Sequence, residues 1–246
     1  MGGVLYLDRT DFVITPQLLN ESYESYETSV LAGILKEGDV VVDAGANIGY
    51  YTFIFSKIVG VTGKVFAFEP NPESFKILEK NIKKNHLENV FLFNMALGDY
   101  NGAAKLYLND YNKGDNRLYS SDGKQSCVTI GCTTLDTAIP TNERVDFIKM
   151  DTQGSEVLIL KGAIRILGNS RPKMALEYWP LGLKRAGTSA REFFELLDSY
   201  KYEYKMIDEE LENCVKIMPK DLENLFPETK RGFTNLLATV NDSELL

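Results

Sequence analysis

The chain has 246 residues, 44% of them hydrophobic, with 27 Lys and Arg against 35 Asp and Glu and a net charge of −8. That length and apolar content suffice for one large core, and the acidic balance argues against duplex nucleic acid as the main partner, because phosphate binding needs a basic face. No apolar run approaches the ~20 residues of a membrane span, the start of the sequence lacks a signal-peptide profile, and Cys127, Cys132 and Cys214 show no metal-ligand spacing, so they read as reduced thiols in a cytoplasmic protein.

Residues 1–27 form a polar, Tyr-rich lead-in. Ser29 to Leu35 then places apolar residues at helical spacing, and Gly38 suits a left-handed cap. Val40-Val41-Val42 is β-branched on both faces and predicts a central strand, closed by Asp43 and followed by a glycine-punctuated turn into an amphipathic segment. Val65 to Phe68 is a second apolar run, closed by Glu69. Asn71 can cap the next helix with Pro72 at its first position and Phe75, Leu78 and Ile82 on one face. Asn89 to Ala96 reads as one further strand, and this alternation with short links predicts an α/β fold with a parallel sheet. His86, the one histidine, falls in a polar turn between helix and strand.

Residues 103–132 interrupt the rhythm as a hairpin-like insertion, with strands at Lys105–Leu108 and Cys127–Ile130 around a polar tip from Asn109 to Gln125. Such an excursion is either a disordered loop or a functional lid. Thr134-Leu135-Asp136 opens a short helical stretch, and Val145 to Met150 is a strand ending in Asp151. A helix follows from Gly154-Ser155-Glu156, with Val157, Leu158, Leu160 and Ile164 apolar, and Lys173 to Glu177 is the next strand. The tail alternates a helix (Ala190 to Tyr200), a strand (Tyr202 to Ile207), a short helix and a last strand (Thr234 to Val240). With no crossover-length helix between them, the last two strands predict an antiparallel edge on a mostly parallel sheet in a single 246-residue domain.

The chemistry gathers at the strand ends. A dinucleotide fingerprint needs G-x-G-x-x-G, but here Gly45 and Gly49 frame Asn47, and Tyr50 stands where a third glycine would fall. That mismatch counts against NAD. S-adenosylmethionine carries no pyrophosphate; its cationic amino and sulfonium groups suit Asp43, its carboxylate suits backbone N–H groups of the Ala44-Gly45-Ala46 turn, and its ribose suits Glu69 beside Pro70 and Asn71. Met95, Ala96 and Leu97 either line the adenine or belong to the core. Asp43 and Glu69 could also be a turn cap and a solvated strand-end acid.

Taken in order, Val-Val-Asp43-Ala-Gly-Ala-Asn47-Ile-Gly-Tyr-Tyr-Thr, Ala-Phe-Glu69-Pro-Asn-Pro, Ala96-Leu-Gly-Asp99, Thr-Leu-Asp136 and Phe-Ile-Lys-Met-Asp151-Thr-Gln-Gly154-Ser-Glu156 resemble the FkbM family of methyltransferases over residues 21 to 178. The resemblance implies a class I, Rossmann-like, seven-stranded methyltransferase fold with helices on both faces. It also implies adenosylmethionine as methyl donor and a hydroxyl of a sugar or other small molecule as acceptor. Asp43, Gly45, Asn47, Gly49 and Glu69 match the family's cofactor positions, and Tyr26-Glu27 resembles its lead-in, where Glu27 either closes over the cofactor or is simply a helix N-terminal acid. After Asp151 the family commonly shows Val-Glu-Gly-Ala-Glu, whereas this chain has Thr152-Gln153-Gly154-Ser155-Glu156 and loses one acid.

A hydroxyl acceptor must lose its proton, and a positioned base contributes about 10²–10⁴-fold. Asp151 is the first candidate for that base or for orienting the acceptor, with Glu156 and Glu177 next. Each has a structural alternative: cofactor contact for Asp151, a helix cap for Glu156, a strand-end acid for Glu177. One histidine and scattered acids give no support for a metal. The competing readings are a protein or RNA methyltransferase, a cofactor-binding protein without turnover, and, more distantly, a nicotinamide oxidoreductase.

Overall fold

A computed structural model describes residues 2–120, 123 and 125–240. The lead-in holds helices α1 (Ile14–Leu19) and α2 (Ser25–Ile34). Strands β1 (Val40–Ala44), β2 (Lys64–Phe68) and β3 (Val90–Phe93) alternate with α3 (Tyr50–Val59) and α4 (Pro72–Lys84). β4 (Met95–Leu97), β5 (Gly102–Tyr107) and β6 (Cys127–Thr133) follow, then α5 (Leu135–Ala138) and β7 (Phe147–Met150). α6 (Glu156–Lys161) and α7 (Ile164–Asn169) lead to β8 (Lys173–Tyr178), and α8 (Pro180–Arg185) and α9 (Ala190–Ser199) lead to β9 (Tyr202–Asp208). β10 (Asn213–Lys216), α10 (Pro219–Leu225) and β11 (Thr234–Val240) complete the chain.

The main sheet runs β10-β9-β11-β8-β7-β1-β2-β3. β1 lies between β2 and β7 and is parallel to both, as the β-branched run predicts. β7–β8 and β2–β3 are also parallel, while β11 is antiparallel to β8 and β9, and β10 to β9. Val41, Phe147 and Ala175 pack on one face with Leu31, Tyr51 and Phe55 of α2 and α3. Val42, Ile148 and Leu176 pack on the other with Val157, Ile166 and Phe193 from α6, α7 and α9. α4 begins as its residues foretell: Asn71 accepts from Glu73 N at 3.0 Å and Pro72 opens the helix. No helix among the described residues is long and apolar enough to cross a membrane.

Four expectations change. The strand expected over 89–96 breaks at Asn94, whose Nδ2 donates to the carbonyls of Glu69 (2.8 Å) and Pro70 (3.3 Å). The chain thereby leaves the main sheet, and β4 joins β6 and β5 in a separate three-stranded sheet. The sheet has eight strands instead of seven, because β10 returns on β9 through a turn in which Asp208 accepts the amides of Glu210 and Leu211. The helix expected to carry Ile164 with Val157 ends at Gly162, where a Cβ would lie 2.1 Å from the Gly98 carbonyl; Ile164 restarts a second helix and is exposed. The first predicted helix begins four residues earlier, at Ser25, behind the unforeseen α1. Of the expected polar tip, residues 121, 122 and 124 lie outside the described residues.

Candidate active site

The period of two along a strand explains the site. On the face shared with α2 and α3, Val41, Phe147 and Ala175 are apolar; two residues further along each strand stand Asp43, Lys149 and Glu177. Asp43 is in register with Lys149, and Glu177 with Asn235 of β11. The core face therefore turns charged where the parallel strands end, and a cavity opens there.

Its glycine-rich wall follows β1. Gly45 has φ +85°, and a Cβ on it would fall 2.0 Å from the Asp151 carbonyl, so only glycine lets the β1 and β7 loops meet. Gly49, at φ +93°, leaves similar room for Leu78. Between them Asn47, at φ +50°, donates its backbone N–H to Glu69 Oε2 at 2.8 Å. Asn71 N donates to Oε1, also at 2.8 Å, so each oxygen of Glu69 is held by one amide. Burial pushes the Glu69 carboxyl up to about 7 despite those two bonds.

Deeper in, Lys149 is buried with its ammonium 4.3 Å from the Tyr51 ring centroid and 3.8 Å from Asp151 Oδ2. Burial alone would lower it, but Asp151, Glu27, Glu24 and Asp43 around it hold it above the ordinary lysine range. Asp43 Oδ2 accepts from Thr52 Oγ1 at 2.5 Å; burial raises its carboxyl, opposed by Lys149 and Thr52. Glu24 accepts from Tyr51 Oη at 2.8 Å. Glu27 accepts from Asn235 Nδ2, and burial together with Glu24 pushes it up to about 8. One lysine thus serves several carboxyls, and the nest favours a further cation.

Asp151 and Glu177 form the mouth of this nest. Gln153, at φ +56°, donates from Nε2 to Asp151 Oδ1 (2.9 Å) and reaches both oxygens of Glu177 at 3.3 Å. The Thr152-Gln153 departure from the commoner motif therefore places a neutral donor where a third acid would repel the other two. Burial, with Asp151 and Glu156 nearby, holds the Glu177 carboxyl well above the carboxylate range.

Glu156 is fully buried under the loop: its Oε1 accepts from Thr152 N (3.0 Å) and Thr152 Oγ1 (2.9 Å), so it organises the turn after β7.

The lead-in and the insertion tip meet across the opening. Asp11 Oδ1 accepts the amides of Val13, Ile14 and Thr15, while Oδ2 accepts Lys113 N at 2.7 Å. Phe12 stacks on Tyr111 with centroids 5.7 Å apart. Ile14, Gln17 and residues 112–118 line the cavity, and Tyr119 Oη donates to the Gln153 carbonyl at 3.1 Å.

Of the residues singled out in the sequence, Asp43, Ala44, Gly45, Ala46, Asn47, Tyr50, Glu69, Pro70, Ala96, Leu97, Asp151 and Glu177 line this one cavity. Gly49, Asn71, Glu27 and Glu156 stand behind its wall: a turn, a support for Glu69, a partner of Asn235 and a loop anchor. Sequence reasoning missed Glu24, Tyr51 and Lys149 as site groups. Lys149 carried a usable signal, a lone charge inside the apolar strand Phe147-Ile148-Lys149-Met150.

A family profile described as Methyltransferase FkbM domain matches residues 43–204. A curated protein named Methyltransferase 1, from Beauveria bassiana, is 24% identical over 143 residues, covering 50% of this chain and 57% of its own. One named Hexuronic acid methyltransferase AglP, from Haloferax volcanii, is 28% identical over 134 residues, covering 54% and 53%. The chain thus spans little more than half the length of these relatives. A crystal structure of Methyltransferase FkbM from Methylobacillus flagellatus superposes with TM-score 0.52 at 18% identity, over 84% of this chain and 45% of that one, which shows a shared fold.

Proposed function

The chain belongs to the FkbM methyltransferase family, and from that premise we propose that it transfers a methyl group from S-adenosylmethionine to a hydroxyl of a sugar or another small molecule. One observation carries the reading: a carboxylate held by two backbone amides at the end of β2 shares a cavity with the anionic nest around Lys149. Adenosylmethionine offers ribose hydroxyls as donors and a cationic tail, and this acceptor-rich, negative donor set fits it. Glu69 would take the ribose, Asp43 and Glu24 would face the tail, and Met95, Ala96 and Leu97 would give the adenine an apolar wall. When bound, the cofactor supplies a methyl group already activated on a positively charged sulfur.

The chain's own part is to place the acceptor, exclude water and take a proton. Asp151 lines the cavity with Oδ1 fixed by Gln153 and Oδ2 near Lys149, so its orientation is set before an acceptor arrives. Glu177, tied to the same amide, is the second group able to hold the acceptor's proton. The lead-in and the insertion tip, joined through Asp11 and Lys113, meet across the opening to this pair. A relative named as a hexuronic acid methyltransferase supports a sugar acceptor. The test is a methyl-transfer screen across glycans, lipids and hydroxylated metabolites, read by release of adenosylhomocysteine. With the acceptor found, Asp151→Asn should lower kcat by about 10²–10⁴-fold while changing cofactor affinity far less. Normal turnover in both Asp151→Asn and Glu177→Gln would remove the pair from the reaction.

A further inference from the structure

A second cavity adjoins the first and shares Asp115, Arg117, Trp179 and Arg231 with it, while Arg185 stands on its exposed rim. The charge of its wall is opposite to that of the nest. Arg117 is buried and spent: its Nε donates to Asp115 Oδ1 at 2.8 Å, Nη2 donates to the same oxygen, and its guanidinium lies 4.6 Å from the Trp179 ring centroid. The other oxygen of Asp115 accepts Asn109 Nδ2 at 3.0 Å and lies 3.8 Å from Arg231 Nη2. One aspartate therefore serves two arginines, Arg117 and Arg231, with Arg185 a third on the same cavity. Arg231 keeps a single long contact with its side chain 75% exposed, and Arg185 has no ion pair among the described residues. In a chain of net charge −8, this is a local excess of positive charge beside an acid-lined chamber.

Cations around one cavity and acids at the reacting end of the other suit an elongated occupant with an anion at one end and a hydroxyl at the other.

We propose that the methyl acceptor carries a carboxylate or phosphate group, held by Arg185 and Arg231, which turns its hydroxyl toward Asp151 and Glu177. This rests on reading the cavity as a methyl-transfer site. Guanidinium forks match either oxyanion, and such charge-assisted contacts discriminate strongly against a neutral isostere.

The test measures binding of glucuronate, glucose 6-phosphate and glucose, as probes, to the protein saturated with adenosylhomocysteine, in wild type and in the Arg185→Gln/Arg231→Gln double variant. One or both acids should bind at least about tenfold tighter than glucose, and the double variant should lose that preference. Whichever acid binds more tightly identifies the oxyanion. Adenosylhomocysteine affinity in each protein reports on folding and, separately, on the cofactor assignment. If the cofactor product binds but neither acid does, or acids and glucose bind alike, or the double variant keeps the preference, the anion subsite is overturned while the proposed reaction stands. If the cofactor product itself does not bind, the proposed reaction fails first.

Discussion

Glu69 carries one backbone amide on each carboxylate oxygen, so its remaining lone pairs are aimed before any ligand arrives. Its carboxyl titrates at about 7 in the folded chain against an ordinary 4.5. Between those values the folded protein holds a proton that the unfolded chain has lost, so this group's contribution to stability falls as pH rises through the window. Ligand binding runs the other way, because ribose hydroxyls donate and the ionised form accepts them better. Adenosylmethionine affinity should therefore rise as pH goes from 6 to 8, approaching about tenfold per unit below the carboxyl's midpoint. Calorimetric titration at three pH values checks this, and Glu69→Gln should flatten Glu69's share of the slope; an unchanged slope would free Glu69 of the role. Asp43, Glu69 and Asp151 were legible as residues because each closes an apolar run. Glu24 was not, because a lead-in glutamate looks solvated until Tyr51 and Lys149 are folded against it.

The clasp between α1 and the insertion tip is the element most exposed to a single change. One carboxylate, Asp11, accepts four amides, three in its own turn and one from the tip. Asp11→Ala should cost about 1–2 kcal/mol locally, by analogy with a lost helix cap. Hydrogen exchange should quicken at residues 11–15 and 111–115 and stay unchanged in β1 and β7, and adenosylhomocysteine should dissociate faster. Uniform exchange and an unaltered off-rate would show that the clasp does not retain ligand. Element identity was readable where pattern and caps agree, as in α4 with Asn71 and Pro72. It failed where one side chain redirects the backbone: nothing in the run from Asn89 to Ala96 signals that Asn94 will bond the carbonyls after Glu69 and send β4 to another sheet. β10 was hidden for a related reason, since it has only four residues, three of them exposed, and follows an acidic stretch.

The whole molecule places opposite charges at two adjoining cavities, acids around Lys149 and arginines around Trp179, within an overall acidic chain. The parallel half of the sheet could be read from the sequence because each buried strand is an apolar run stopped by a turn. The insertion of β11 between β8 and β9 could not, since an alternating strand carries the same pattern whichever neighbours it pairs with. The basic rim was illegible for a similar reason: Arg185 and Arg231 are far apart in sequence and meet only through the fold. Everything in the account depends on what the acid-lined end holds, so the most direct measurement is calorimetric titration of the wild-type chain with adenosylmethionine and with NAD, repeated on Asp43→Ala and Glu69→Ala. The account predicts saturable one-to-one binding of adenosylmethionine, weakened at least about tenfold by each substitution, with no comparable affinity for NAD. Tighter binding of NAD, or wild-type affinity in both variants, would contradict it.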